Sequence, residues 1–283
     1  MQIGGLVMKV ITFTISKGGV GKSTMAYNFA GLESKRLQKK KKRVLVIDAD
    51  PQANLSALFN ISQDIDVSEE EYMNLSNLLL DDIAPKDVIM TSLNQYMLNV
   101  DLIAGHVDLT ATQGAIDTLK RQDVNNISRL KEWINKNYDY LSANYETIIC
   151  DVGPFFGSIT QNCLYASDEI FLVVEIAESS FRGAKLFMVE WEKVCSEEKI
   201  TNNVKGIIVN KFDKRTSLSK EFTEFLISEN RFKNMIFDTL IPYTVKFQKG
   251  ELMEKPLCFY EPNGVQSREL MKLYKEMRKK GFL

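Results

Sequence analysis

The segment Ser16-Lys17-Gly18-Gly19-Val20-Gly21-Lys22-Ser23-Thr24 constrains this chain more than any other part of it. A β-branched run at 9–15 precedes it and a stretch of helical period at 23–37 follows, so a strand must turn through glycines straight into a helix N-terminus. That path aims backbone N–H groups inward around a tight loop and adds the positive end of a helix dipole, which together cradle phosphate. In such a loop Gly18, Gly19, Val20 and Gly21 shape the cradle, Lys22 bridges the β- and γ-phosphates, and the Ser23 hydroxyl ligates Mg²⁺. Thr24 is placed to reach the α-phosphate. The pattern departs from GxxxxGK[ST] at its first position, where Ser16 stands for glycine.

Six further apolar runs recur at 43–48, 98–103, 146–151, 169–176, 204–210 and 236–241. Helical stretches such as 181–195 and 218–229 lie between them. Runs that are continuously apolar, without alternation, imply burial on both faces and hence a parallel sheet between helix layers. The expected fold is α/β: a doubly wound, mostly parallel sheet with helices on both faces, in one domain over residues 1–283 with 1–8 as an N-terminal extension. Residues 64–99 are acidic and poor in strand signals, and are expected to hold one or two helices over the sheet edge.

Two strands end in acids. The second closes in Asp48-Ala49-Asp50-Pro51-Gln52, which points two carboxylates into the crevice where ligands bind in such sheets. Asp48 serves either the metal's water shell or the local turn as a cap. The run at 146–151 ends in Asp151, in the arrangement that holds Mg²⁺ through water. Phosphoryl transfer to water asks for little else than a placed metal and a placed water.

Composition narrows the setting. Lys plus Arg total 36 against 37 for Asp plus Glu, so net charge speaks neither for nor against nucleic acid. No apolar run approaches the roughly 18–20 residues that span a bilayer, and the N-terminus lacks a secretory signal. Cys150, Cys163, Cys195 and Cys258 show no metal-ligand spacing, which suits reduced thiols in a cytoplasmic core.

The loop from Lys17 to Ser23 carries a second lysine at its entrance, the deviant pattern KGGVGK[ST]. Together with DxDPQ at 48–52 and a DxxPxxG variant at 151–157, in which Gly153 replaces a proline, it resembles the ParA/MinD family of ATPases, and the ParA partition branch in particular. The segments Leu102–Leu109, Val209–Thr216, Ile241–Tyr243 and Lys255–Leu257 extend the resemblance over nearly the whole chain. It implies that ATP is the nucleotide, that Lys17 reaches across an ATP-sandwiched homodimer, and that Asp50 orients the attacking water. It also implies that Asn210 and the Pro242 loop hold the adenine, although an Asn at a strand end is by itself more often a turn residue.

By the same resemblance the ATP-bound dimer binds non-specific DNA, associates with the nucleoid, and is stimulated by a ParB-type centromere-binding partner. A short form without the N-terminal helix-turn-helix is implied. For DNA the sequence offers Arg268, Lys272, Lys275 and Lys279, which share one face of a helix expected at 263–280; Leu270, Leu273, Tyr274 and Met277 share another. That stripe fits either phosphates or a solvated face. The 39–43 run of four lysines and an arginine reads as a charged loop. The rival is a MinD-like positioning ATPase on membrane or a protein scaffold; the terminus Gly281-Phe282-Leu283 is too short an apolar tail to favour membrane.

Overall fold

The computed structural model describes residues 8–61, 72–120, 126–213, 215–217, 221–222, 224–225 and 229–283. Its frame is a six-stranded sheet in the order β3-β2-β4-β1-β5-β6, with every neighbouring pair parallel. The strands are β1 (Lys9–Thr14), β2 (Arg43–Ala49), β3 (Val100–Ile103), β4 (Tyr145–Val152), β5 (Glu169–Glu175) and β6 (Val204–Asn210). Both faces are covered, as continuous apolar strands require. Ile11, Phe13, Val46 and Ile149 enter one core, and Val10, Leu45, Ile47 and Ile148 enter the other.

The central strand β1 leads through the glycine loop into α1 (Lys22–Leu37). This helix is buried almost throughout, from Met25 to Leu32. Phe29 lies 5.0 Å from the Phe13 ring on the sheet side and 6.1 Å from Tyr274 on the other. Its outer side is covered by the turn at Lys255-Pro256-Leu257 and by the C-terminal helix Val265–Lys279. The Leu257 N–H donates to Asn28 Oδ1 at 2.7 Å, and a Cβ on Gly31 would stand 2.6 Å from Pro256, so only glycine admits that turn.

Glu33, fully buried on α1, ties these layers together. It pairs with Arg36 and accepts from the Tyr274 hydroxyl at 2.5 Å and from Thr147 at 3.3 Å, with Arg278 at 3.5 Å. Arg36 in turn reaches Glu146 at 2.5 Å. A buried carboxylate survives only with such partners.

The structure differs from expectation at the seventh run. Within 236–241 only Ile236 forms an isolated bridge, to Ile207 of β6, with Pro242 just past the run bridging Phe212, and there is no continuous strand. The reason is local: the N–H groups of Asp238 and Thr239 donate to the Glu276 carboxylate at 2.9 and 3.1 Å, which draws the middle of the run away from β6. The third strand is shorter than its 98–103 run, beginning at Val100. Helices Leu75–Leu80 and Pro85–Val88 lie within the 64–99 stretch; residues 62–71, residues 1–7 and most of the 218–229 helix lie outside the described residues. The 181–195 stretch becomes the helix Glu178–Glu197. Of the basic 39–43 run, Lys40 bonds Glu146, Lys42 the Ser142 and Ala143 carbonyls, and Arg43 Asp101, so the run fastens the foot of the sheet. All four cysteines are buried free thiols.

Removing Glu33 should loosen the joint between α1, β4 and the C-terminal helix. Glu33→Ala is expected to cost on the order of 3 kcal/mol in urea unfolding, with Tyr274→Phe costing about 1 kcal/mol.

Candidate functional site

The site gathers at the carboxyl ends of β1, β2 and β4, because the strand order sets β4 between the other two. In the loop after β1, Gly19 and Gly21 take φ of +75° and +99°, in the left-handed region that glycine enters without strain. Gly21 is doubly required, since a Cβ there would meet Asn210 Nδ2 at 2.4 Å. Asn210, at the end of β6, donates from that nitrogen to the Val20 carbonyl at 2.8 Å and braces the loop from behind. Gly18 and Gly19 face open space. The Lys22 ammonium, largely buried, bonds to the Lys17 carbonyl at 3.0 Å.

Register places Asp48 of β2 directly beside Asp151 of β4. Both carboxyls are fully buried. Asp48 accepts from the Ser56 N–H at 2.7 Å, the Ser56 hydroxyl at 2.8 Å and the Asp50 N–H at 3.2 Å. Its geometry is therefore that of the turn-forming cap, one of the two roles its position allowed. The Gly105 N–H joins from the loop after β3, donating to Ser56 Oγ at 2.9 Å, and a Cβ on Gly105 would crowd Asp48 at 3.0 Å. Burial, only partly offset by those bonds, pushes the Asp48 carboxyl up to about 6.

Asp151 is different. Among the described residues neither of its oxygens has a partner of hydrogen-bond geometry. Burial first and the neighbouring Asp48 charge second raise its pKa well above the carboxylate range, against the Ser23 hydroxyl and the Lys22 ammonium, which lower it. Lys22 is lowered by burial and partly restored by Asp151 and Asp50. An orphaned buried carboxylate, a serine hydroxyl beside it and an open glycine cradle above fit a magnesium-bound nucleotide phosphate.

Asp50 accepts from the Gln52 N–H at 3.0 Å, and a Cβ on Gly153 would lie 3.4 Å from its carboxylate. The glycine that stands for proline in the 151–157 segment thus lies next to Asp50, at a separation where a side chain would make ordinary contact. Lys17 turns away from the cradle: its ammonium pairs with Glu175, at the end of β5, at 2.5 Å. Glu175 holds Lys211 with its other oxygen at 3.1 Å, and Lys211 also reaches the Gly19 carbonyl at 2.5 Å. Burial alone would raise the Glu175 pKa, but the bonds to the two lysines outweigh it and bring it down.

Next to the loop a cavity of about 150 Å³ is lined by Gly21, Thr24, Asn210, Pro242, Phe247 and Glu251. Asn210 and Pro242, from separate segments, thus meet at one wall. Thr24 donates its hydroxyl to Glu251 at 2.7 Å. Hollows of about 540 and 610 Å³ lie elsewhere, against Phe181 and Phe222 and against Leu79 and Trp133, and touch none of these groups. Among the described residues no cluster of three or more His, Cys, Asp or Glu could hold a metal on its own.

Sequence reasoning missed Glu175, Lys211 and Glu251. Glu175 closes an apolar strand as Asp151 does, and that was a usable signal; Glu251 had none.

Comparison with known proteins addresses the family and the fold. A family model described as an AAA domain matches residues 8–205. Over 274 residues the chain is 27% identical to the sporulation initiation inhibitor protein Soj of Bacillus subtilis (strain 168), covering 96% of this chain and 99% of Soj. The chain belongs to the ParA/Soj-type P-loop ATPases. A chromosome partitioning protein ParA of Myxococcus xanthus (strain DK1622) is 28% identical over 94% of this chain and 89% of its own. In fold, the chain superimposes on a Cyanothece McdA–ATP complex with a TM-score of 0.80 at 18% identity, over 99% of this chain and 98% of that one. The protein is thus a partition-type ATPase. Among the described residues no helix is long and apolar enough to cross a membrane.

The raised Asp48 carboxyl has a consequence for stability. Unfolded, it releases its proton near 4; folded, it keeps it to about 6. The folded state holds the extra proton between those values, so stability is full below about pH 4 and falls as pH rises through about 6. Urea midpoints of the nucleotide- and metal-free protein are expected to drop across that window, and Asp48→Asn to flatten the drop.

Proposed function

We propose that the chain acts as one P-loop ATPase domain that binds ATP with Mg²⁺, dimerises around it, holds non-specific DNA as a dimer, and releases DNA after hydrolysis stimulated by a ParB-type partner. The observation that supports it most is the loop itself: a phosphate cradle with Lys22 inside, Lys17 at its entrance, and the unpartnered Asp151 beneath.

Each group has work it is fitted for. Ser23 and Asp151 would hold magnesium, which when bound neutralises phosphate charge. Lys22 already lies over the loop, where it stabilises charge on the phosphates. Asp50 is half-buried beside Gly153, and its carboxylate would orient a water. Lys17 is stored on Glu175 and must leave it to serve a neighbouring subunit; the Glu175 carboxylate keeps the second cation, Lys211, when it does.

For DNA, Arg268, Lys272, Lys275 and Lys279 are all exposed on the C-terminal helix, while Leu270, Leu273, Tyr274 and Met277 are buried. Lys35 of α1 joins Arg268, Lys272 and Lys275 around one cleft. Lys272 is paired with Glu269 at 2.8 Å, and Arg268 bonds the Asn263 carbonyl, so Lys275 and Lys279 are the better phosphate contacts.

The test is size-exclusion and DNA mobility shift with no nucleotide, with ADP and with a slowly hydrolysed ATP analogue. Only the triphosphate should give a dimer, and that dimer should shift DNA of any sequence. A dimer that ignores DNA would sink the DNA reading and leave a membrane or protein scaffold as the surface. Lys275→Glu combined with Lys279→Glu should weaken DNA binding alike on all sequences and flatten its salt dependence; a sequence-selective loss would mean base readout instead. Lys17→Ala should bind ATP yet lose hydrolysis by 100-fold or so, about the size of effect seen when a positioned cation is removed; an undiminished rate would refute its role across the dimer.

A further inference from the structure

The 150 Å³ cavity beside the loop contains a group that no phosphate can use. Glu251, on the helix Lys246–Leu252, sits in its wall among Thr24, Pro242 and Phe247. Its Oε1 accepts from the Thr24 hydroxyl at 2.7 Å. Among the described residues Glu251 forms no ion pair, and its Oε2 accepts no hydrogen bond. Burial raises its pKa, and the Thr24 bond opposes that only in part. A half-buried carboxylate without a cation repels phosphate and calls for neutral donors.

The surroundings limit where such donors lie on a nucleotide. Thr24 stands in the first turn of α1, the phosphate end of the cavity, and Glu251 is bonded to it. Pro242, Phe247 and Asn210 offer the apolar surface and amide suited to a base. The Asn210 Nδ2 is spent on Val20, which leaves its oxygen for a base amine. Between phosphates and base comes the sugar, whose vicinal hydroxyls are two neutral donors matched to two carboxylate oxygens.

We infer that Glu251 is a specificity-determining residue that accepts the ribose hydroxyls of the bound triphosphate, so that the site selects ribonucleotides over deoxyribonucleotides. This rests on the ATP-binding reading above. The selection arises because a deoxy sugar leaves a partly buried carboxylate oxygen without its donor. When the diol takes over the carboxylate, Thr24 gives up its bond to Glu251 and its hydroxyl is released to turn towards phosphate.

The experiment measures displacement of a fluorescent nucleotide from the full chain by ATP, 2′-deoxyATP, 3′-deoxyATP and the purine riboside triphosphate that lacks the 6-amino group. The unaltered protein should bind at least one deoxy analogue about ten-fold more weakly than ATP. Glu251→Ala should bring that ratio to about one, chiefly by weakening ATP, and Glu251→Gln, which keeps an acceptor for Thr24, should lower it in part. Thermal melting verifies that both variants fold, and the comparison in unaltered protein needs no variant. Equal binding of ATP and both deoxy analogues overturns the inference while leaving ATP binding intact. So does a ratio that survives Glu251→Ala, or a Glu251-dependent loss confined to the analogue without the amino group, which would assign the carboxylate to the base. Failure of every triphosphate to bind takes down the ATPase reading and this inference together.

Discussion

Parallel pairing of β2 with β4 sets two carboxyls, Asp48 and Asp151, side by side and fully buried. Like charges so close cannot both ionise cheaply in a buried place, and much of the surrounding architecture answers that problem. Asp48 is satisfied by protein: Ser56 and the Asp50 N–H supply three hydrogen bonds, and Gly105 closes the lid without a side chain. Asp151 is left for something else. Ser23 and Lys22, at the start of α1, are the groups that ease its charge. The neighbouring pair thus divides into a structural acid and an available one, and the difference is made by hydrogen bonding, since burial is equal.

The helix that begins at this site is also the element on which the far side is built. Lys22 and Ser23 open α1, and one turn from its end Glu33 and Lys35 engage the C-terminal helix and the turn before it, while Arg36 ties the same end to Glu146 of β4. Glu33 in the interior holds Tyr274 and Arg278, on the same helix whose outer face carries Lys275 and Lys279. The phosphate cradle and the basic face are thus joined by one buried rod and one ionic cluster, with no loop between them. Glu175 plays a comparable part at the mouth of the site, where one carboxylate holds two lysines and keeps cations close to the cradle without filling it.

The strand–loop–helix turn at 9–37 and the acids ending two apolar runs were legible because each depends on neighbours in sequence: a glycine path, a helix start, an acid closing a strand. Burial of continuous runs on both faces likewise follows from local composition, and so does the division of the C-terminal helix into an apolar and a basic face. The run at 236–241 was misjudged, since its hydrophobicity suits a strand while the Glu276 carboxylate, from 38 residues away, takes the N–H groups that a strand would need.

What the sequence determined by itself was the set of groups available: a glycine-rich P-loop, an acid closing the fourth strand, a lysine at the loop entrance, and the α/β layering that buries them. Tertiary structure alone decided who partners whom. Lys17 meets Glu175 across 158 positions, Thr24 meets Glu251 across 227, and Asp48 becomes a cap because Ser56 and Gly105 fold over it. Local pattern specifies which backbone a residue adopts, through sterics and burial that act over a few positions. Pairing between distant side chains depends on strand order and helix packing, which are properties of the whole sheet and of no single segment.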